Sequence, residues 1–269
     1  MAASSTFAAT DGDAYELQMG RWSRRLAEPF LDFAGPVGAG EVLDLGCGTG
    51  SLTLALAARE PACRISGVDF SEAYVEHARR RTLDPRLDFR VGDACAIPFP
   101  AASFDRVLSL LMLHFVPRAP EAVAEMRRVA RPGAVVAATV WDARGGFIAQ
   151  RILLDTAAVL DPKADKLRAQ SFTRPMSRPG ELGAAWRAAG FADVAETSLT
   201  IRMDYADFDD FWAPYLGGQG PAAGYVGALD GPSQARLRDA VRRAYLDDDP
   251  DGPRSYAATA WAVRGVAPG

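Results

Sequence analysis

The sequence predicts an α/β fold in which a doubly wound, mostly parallel sheet lies between two layers of helices. Five short apolar strands alternate with helices between residues 41 and 141, the rhythm of a parallel sheet. A glycine-rich loop follows the first of these strands directly. The fourth strand, residues 104–113, is almost continuously apolar, as expected of a strand buried on both faces.

The N-terminal region is expected to contain a tail and one helix. Residues 1–13 are small, polar and acidic and are predicted to be a disordered tail. From Ala14 to Phe33, apolar side chains recur every three or four residues, which predicts a helix. Pro29 is expected to bend or split this helix, and residues 35–40 to form a turn.

The central region supplies the strands and helices of the sheet. Ser71 is suited to cap a helix, and Pro120 suits the first turn of another. The triplet Arg131-Pro132-Gly133 is expected to end the latter helix. Strands are predicted at 41–45, 63–69, 87–93, 104–113 and 134–141, with helices at 51–60, 71–82 and 120–130.

The second half of the chain is less regular. Helices are predicted at 145–160 and 179–191, and strands at 194–203 and 255–265. A long excursion, residues 204–254, separates these two strands; it begins with an aromatic and acidic stretch, continues with glycines and ends in a helix.

Composition excludes several classes of function. The net charge of −4 argues against nucleic acid or an anionic membrane surface as the main partner. Three cysteines without regular spacing and only two histidines predict neither a disulfide framework nor a metal site. The chain has no apolar run of about 20 residues and no signal-like start. A cytoplasmic location is therefore expected.

The loop in VLDLGCGTG, residues 42–50, indicates the kind of ligand. Its G-x-G-x-G spacing differs from the dinucleotide fingerprint, and no G-K-[ST] follows, which argues against a phosphate cradle. Asp69 ends the second strand, where a carboxylate can accept hydrogen bonds from both hydroxyls of a ribose. Asp93 and the Ala94 N–H end the third strand and can meet the edge of an adenine. Together they predict a site for an adenosine without phosphates.

The ordered motifs resemble those of class I S-adenosylmethionine-dependent methyltransferases. VLDLGCGTG, GVDFS, VGDACAIPFP, FDRVLSLLMLHFVP and EMRRVARPG follow in the family's order and spacing, over residues 41–142. YELQMGRWSRR and AATAWAVRG are similar to the ends of a bacterial subgroup. The resemblance implies one Rossmann-like domain over 1–269 with a seven-stranded sheet, the last strand antiparallel. Its cofactor would be S-adenosylmethionine, converted to S-adenosylhomocysteine.

The resemblance also implies roles for individual residues. The three loop glycines would pass close to the methionine moiety and the ribose, and Asp44 would hold the loop and the ammonium. Phe70 would lie against the adenine, and Leu110 would contact the methionine part. Residues 14–34 would form a lid, with Tyr15 and an arginine reaching the carboxylate. The implied cofactor-binding set is Tyr15, Met19, Arg24, Asp44, Gly46, Cys47, Gly48, Gly50, Asp69, Phe70, Asp93, Ala94 and Leu110.

The acceptor side is less defined by the sequence. His114 is a candidate general base and equally a polar residue at a strand end. The helical cap insertions 143–180 and 204–254 are expected to build a substrate pocket. Aromatic side chains of the second insertion are candidate pocket walls, or packing residues: Phe208, Phe211, Trp212, Tyr215 and Tyr225.

Three functions from different classes remain open on the sequence. The favoured one is methyl transfer by in-line displacement to a small, partly apolar or aromatic molecule, in a monomer or homodimer. The second is a regulatory or other protein that binds the same cofactor without transferring its methyl group. The third, a nicotinamide-dependent oxidoreductase, conflicts with the glycine spacing.

Overall fold

The computed structural model describes residues 5–7 and 9–269 of the chain. Within them, seven strands form one sheet in the order β3-β2-β1-β4-β5-β7-β6. Strand β7 runs antiparallel to β5 and β6, its two neighbours, and lies between them. The predicted sheet, with an inserted antiparallel last strand, is confirmed. The strands are β1 Ala39–Leu45, β2 Ala62–Asp69, β3 Leu87–Val91, β4 Phe104–Leu110, β5 Ala130–Trp141, β6 Ala192–Tyr205 and β7 Arg254–Val266.

Helices cover both faces of this sheet, because successive strand residues point to opposite sides. Val42 packs into one apolar cluster and Leu43 into the other. No helix in the described part of the chain is long and apolar enough to cross a bilayer. The helices are α1 Gly12–Tyr15, α2 Arg21–Ala34, α3 Ser51–Arg59, α4 Glu72–Arg80, α5 Ala119–Val129, α6 Ile148–Leu160, α7 Pro162–Phe172, α8 Glu181–Ala188, α9 Phe208–Trp212, α10 Gly220–Gly227 and α11 Gly231–Leu246.

The N-terminal segment differs from the predicted disordered tail. Phe7 packs edge-on against Phe115, with ring centroids 4.8 Å apart. The Ala9 carbonyl accepts a hydrogen bond of 2.7 Å from the Ser71 hydroxyl, and Asp11 caps α1. The prediction was wrong for residues 5–7 and 9–13, because these contacts hold the segment on the body of the fold. Residues 1–4 and 8 lie outside the described residues.

Helix α2 continues through Pro29 as one helix, so the expected split does not occur. Leu26 and Phe30 are fully buried on either side of the proline, so packing holds the helix together across it. The irregular turn lies earlier, where residues Glu16–Gly20 form a π-helical turn between α1 and α2.

Strand β4 ends at Leu110, three residues before the predicted end. Leu111 has a left-handed backbone, with φ of 61°, and a 3₁₀ turn follows over Leu113–Phe115. The apolar pattern continues past the strand because Leu113 is itself fully buried. The turn directs His114 back over the end of the sheet.

The Ser71 cap of α4 is confirmed and gives a first testable effect on stability. Its hydroxyl oxygen accepts from the Tyr74 N–H at 3.3 Å and its proton is donated to Ala9. Ser71→Ala should lower the free energy of unfolding by about 1 kcal/mol, a fall in melting temperature of roughly 2–4 °C. Ser71→Gly should cost less at the cap. An unchanged melting temperature in the alanine variant would contradict this role.

Candidate active site

Three glycines with left-handed backbones form the loop after β1. Their φ angles are 77° at Gly46, 54° at Gly48 and 89° at Gly50, a region that favours glycine. A Cβ on Gly46 would lie 2.5 Å from the Met112 Cβ, whereas a Cβ on Gly48 would have nothing within 4 Å. Gly46 is therefore required by packing, and Gly48 faces open space at the carboxyl end of the sheet.

Asp69, at the end of β2, holds this loop. Its carboxylate accepts hydrogen bonds of 2.9 Å from the Gly48 N–H and from the Ser71 N–H. Burial raises the pKa of Asp69 to about 6, although the backbone donors oppose the shift. Each carboxylate oxygen accepts one backbone hydrogen bond, which leaves acceptor capacity for the hydroxyls of a ligand.

Asp44, the acidic residue within β1, is fully buried beneath the loop. The Thr53 hydroxyl donates to its Oδ2 at 2.6 Å, but Oδ1 has no hydrogen-bond partner among the described residues. Burial raises the pKa of this carboxyl to about 7. An unpaired buried carboxylate oxygen is costly, so a cationic ligand group at this position would relieve a real deficit.

A cavity lies at the carboxyl ends of β1, β2 and β3. Gly46, Asp69, Phe70 and Ala94, all predicted cofactor contacts, line it. Asp93 does not, because its carboxylate accepts from the Cys95 N–H at 2.9 Å and lies 3.5 Å from the Arg118 guanidinium. The structure thus brings the predicted residues of three strand ends together around one space.

A second and larger cavity, partly open to solvent, lies near the end of β4. Leu111 lines the larger cavity and Met112 the smaller one. Leu110, the predicted contact, packs in the apolar core instead, because the strand ends there and the backbone turns. Most residues that line the larger cavity are aromatic or aliphatic. The full lining is Phe7, Tyr15, Gln18, Met19, Trp22, Leu111, His114, Phe115, Trp141, Ala143, Phe147, Gln150, Arg174, Met203, Tyr205, Phe211, Pro214, Tyr215, Gly220, Pro221 and Ala222.

The predicted lid residues divide into two groups. Tyr15 and Met19 line the larger cavity, as a lid over the site requires. Arg24 lines neither cavity and instead pairs with Glu16. Glu16 also accepts from the Arg81 guanidinium at 3.2 Å and from the Thr49 hydroxyl of the glycine loop. These contacts fasten the π-helical turn to the loop.

Cys47 is a packing residue in the loop. Its side chain is buried against Val75 and Phe89, and burial raises the pKa of the thiol well above its ordinary value. A thiol that stays protonated is not a nucleophile. Cys47 therefore fills a small space, consistent with its expected role beside the glycines.

His114 lies in the wall of the larger cavity, 3% exposed. Neither ring nitrogen has a hydrogen-bond partner among the described residues. Burial, and secondarily the charge of Arg174, lower the pKa of this imidazole well below its ordinary value. The ring is therefore neutral, with one nitrogen free to accept and the other free to donate.

Two of the five aromatic residues predicted as candidate pocket walls line the cavity, namely Phe211 and Tyr215. Phe208 and Trp212 stack on each other in the core, with centroids 6.1 Å apart. The Tyr225 hydroxyl donates to the Asp161 carboxylate at 2.9 Å. These three were wrong as wall residues, because the helix that carries two of them turns its other face to the cavity.

The sequence reasoning missed several walls of the larger cavity. Trp141 ends β5, and the rule that ligands lie beyond carboxyl ends could have found it. Trp22 belongs to the apolar stripe of α2, where periodicity does not distinguish core from cavity. Arg174 lies in the loop between α7 and α8, where no sequence pattern indicated it.

Comparisons with known proteins agree with this geometry. A family model described as a methyltransferase domain matches residues 42–133. The chain is 36% identical over 171 residues to a demethylmenaquinone methyltransferase of Roseiflexus sp. (strain RS-1), over 60% of this chain and 71% of that protein. It is 30% identical over 229 residues to a trans-aconitate 2-methyltransferase of Deinococcus radiodurans, over 81% of this chain and 83% of that protein.

The fold has solved counterparts at low sequence identity. The Haemonchus contortus phosphoethanolamine N-methyltransferase 2 in complex with S-adenosyl-L-methionine superimposes with a TM-score of 0.61. The match has 17% identity and covers 96% of this chain and 57% of that chain. At this identity the likeness concerns the fold.

Fold and relatives together define the class. The chain belongs to the class I S-adenosylmethionine-dependent methyltransferases. It is an enzyme that transfers a methyl group from S-adenosylmethionine to a small-molecule acceptor. The residues present fit this cofactor, since Asp44 offers an unpaired buried oxygen and Gly48 leaves room beside Asp69.

The raised carboxyl pKa values predict a pH dependence of cofactor binding. The pKa is about 6 for Asp69 and about 7 for Asp44, so both carboxyls are largely protonated below these values. A ribose hydroxyl that donates to Asp69 and an ammonium beside Asp44 would both favour the ionised carboxylate. Affinity for S-adenosylhomocysteine should therefore rise from about pH 5.5 to pH 7.5, by about tenfold for each unit of pKa change on binding. Titration calorimetry should show proton release in this range. An affinity that falls with rising pH would contradict the assignment.

Proposed function

We propose that the smaller cavity holds the adenosine part of the cofactor. Asp69 accepts hydrogen bonds from the ribose hydroxyls, and Phe70 and Ala94 contact the adenine. Asp93 completes the adenine edge after its contact with Arg118 loosens. Support comes from the convergence of three strand ends on this space and from the two backbone hydrogen bonds that fix the Asp69 carboxylate.

We propose that Asp44 and the glycine loop hold the methionine part. The unpaired oxygen of Asp44 faces the ammonium, and Gly48 and Gly50 allow close approach of the backbone. Tyr15 and Met19 cover this part as a lid, and Arg24 reaches the carboxylate once released from Glu16. The pairing of Arg24 with Glu16 supports this, since Glu16 also contacts the glycine loop through Thr49.

The acceptor occupies the larger cavity in this proposal. Trp22, Trp141 and Tyr205 give it aromatic walls, which suit an apolar or aromatic molecule. The single observation that carries the proposal is that two consecutive residues divide between the cavities: Leu111 lines this one and Met112 lines the cofactor cavity. The insertions 143–180 and 204–254 contribute Arg174, Tyr215 and other walls, so one domain over the whole chain builds the complete site.

The protein's share of the chemistry is alignment and exclusion of water. When bound, the cofactor supplies a methyl group on a positively charged sulfur, which is already activated. Tyr15, Leu111 and Trp141 hold the acceptor in position at the junction of the cavities. The segment around Phe7 closes the solvent side, and His114 hydrogen-bonds the acceptor as a neutral imidazole. The strongly lowered pKa of His114 favours this role over that of a general base.

We also propose the setting in which the enzyme works. Its partner is a small molecule rather than nucleic acid or membrane, as its acidic balance favours. Cys47, Cys63 and Cys95 are free thiols, which favours the reducing cytoplasm. A monomer contains every residue of the site described above.

The test is transfer of a labelled methyl group from S-adenosylmethionine to pools of small aromatic and apolar compounds. We expect label in the acceptor fraction and S-adenosylhomocysteine as coproduct, both dependent on the intact chain. A protein that binds S-adenosylhomocysteine tightly yet never releases label would support the regulatory alternative. Binding of NADH without binding of S-adenosylhomocysteine would contradict the cofactor site.

A further inference from the structure

Arg174 places a cation in the wall of the larger cavity. Within residues 5–7 and 9–269, no Asp or Glu oxygen lies within 4.0 Å of its guanidinium. Other arginines of the same region have such partners: Arg151 pairs with Asp155, and Arg178 with Glu181. The Arg174 guanidinium instead lies over the Phe115 ring, 4.7 Å from its centroid.

The Arg174 guanidinium keeps its positive charge although burial removes part of its hydration. Burial lowers the pKa of its guanidinium to about 10, so the group remains protonated at neutral pH. Its backbone is fixed locally, since the Ser177 hydroxyl donates to the Arg174 carbonyl at 2.7 Å, and its guanidinium rests on Phe115. A partly desolvated cation held in place at a cavity wall is poorly compensated until an anion reaches it.

Two further polar side chains in the same cavity also lack partners. Both ring nitrogens of His114 and the Oε1 of Gln18 are buried without a hydrogen bond in the described part of the chain. The His114 ring packs on Phe115 with centroids 4.0 Å apart, so His114 and Arg174 contact the same phenyl ring. The charge of Arg174 also acts on His114. A cation and a neutral imidazole thus lie together at the Phe115 end of a largely apolar cavity.

We propose that the methyl acceptor carries an anionic oxygen group, a carboxylate or a phosphate, which Arg174 binds at the His114 end of the cavity. A guanidinium can form two parallel hydrogen bonds with either group. The apolar body of the acceptor then lies toward Trp22, Trp141 and Tyr205. The inference rests on the proposed function, in which this cavity holds the acceptor.

The test compares matched ligands on the full chain saturated with S-adenosylhomocysteine. The probes are 2-naphthoate, 2-naphthyl phosphate and the neutral 2-naphthamide, titrated by calorimetry. At least one anion should bind about tenfold or more tightly than the amide, as a charge-assisted pair implies, and the tighter anion identifies the group. In Arg174→Met this preference should shrink to about threefold or less, with Arg174→Lys between the two.

Arg178→Met serves as the matched control. Arg178 is four residues away, exposed, and outside the lining of the cavity, so its loss should leave the anion preference unchanged. Thermal denaturation of each variant with S-adenosylhomocysteine confirms that it is folded.

Three results would overturn the inference: equal binding of anions and amide, a preference that survives in Arg174→Met, or no binding of any probe at millimolar concentration. Failure of the wild-type protein to bind S-adenosylhomocysteine would instead overturn the proposed cofactor site, so the two failures are distinguishable.

Discussion

Gly46→Ala should lower the free energy of unfolding by about 2–5 kcal/mol. The left-handed backbone at φ of 77° costs an L-residue about 1–2 kcal/mol, and forcing a methyl group into a packed region costs about 1–3 kcal/mol more. The new Cβ would lie 2.5 Å from the Met112 Cβ, which is close to the backbone and has little freedom to move. Chemical denaturation of the purified variant measures the loss.

Gly38→Ala separates the cost of the left-handed backbone from the cost of packing a methyl group. Gly38 has φ of 80°, and a Cβ there would have nothing within 4 Å, so this variant should lose only about 1–2 kcal/mol. Gly48→Ala should lose a similar amount of stability, but should also weaken cofactor binding because its Cβ points into the open space beside Asp69. Equal losses of stability in Gly46→Ala and Gly38→Ala would contradict the packing role of Gly46.

Asp69→Ala should weaken binding of S-adenosylhomocysteine by about 1.5–3 kcal/mol, roughly 10- to 150-fold. The variant loses the carboxylate proposed to meet the ribose, and it also leaves the Gly48 N–H without its acceptor, so the glycine loop is less well held. Titration calorimetry of the folded variant measures the effect, with thermal denaturation as the check on folding.

Asp88→Ala is the control for this measurement. Asp88 lies on the neighbouring strand β3, where its half-exposed carboxylate pairs with Arg90 on the surface. Its removal should leave the affinity unchanged. An Asp69→Ala variant that binds S-adenosylhomocysteine as tightly as the wild type would remove the basis of the cofactor assignment.

The cofactor side was predictable because it depends on local features of the sequence. Alternation of strands and helices fixes which ends of the strands meet, and Asp69 stands at such an end. The cap at Ser71 and the antiparallel last strand followed from equally local patterns and from family resemblance. The surroundings of Arg24 and Asp93 could not be predicted in this way, because each has a charged partner that no sequence pattern indicates.

The acceptor side depends on how distant elements pack, which sequence periodicity cannot specify. Phe208 and Trp212 lie four residues apart and share one face of α9. Phe211 lies on another face of α9, and Tyr215 lies in the 3₁₀ turn that follows, Ala213–Leu216. The sequence shows these aromatic residues, but only the packing of the folded chain determines that Phe211 and Tyr215 line the cavity. Arg174 is a loop residue, and only the folded structure places its guanidinium in the cavity wall, away from the carboxylates of the described residues.

A crystal structure of the full chain with S-adenosylhomocysteine tests the central claim most directly. The account predicts both ribose hydroxyls within hydrogen-bonding distance of the Asp69 carboxylate. It also predicts a sulfur atom that faces the cavity lined by Leu111, His114 and Trp141. A cofactor bound elsewhere, or one whose sulfur faces away from this cavity, would contradict it.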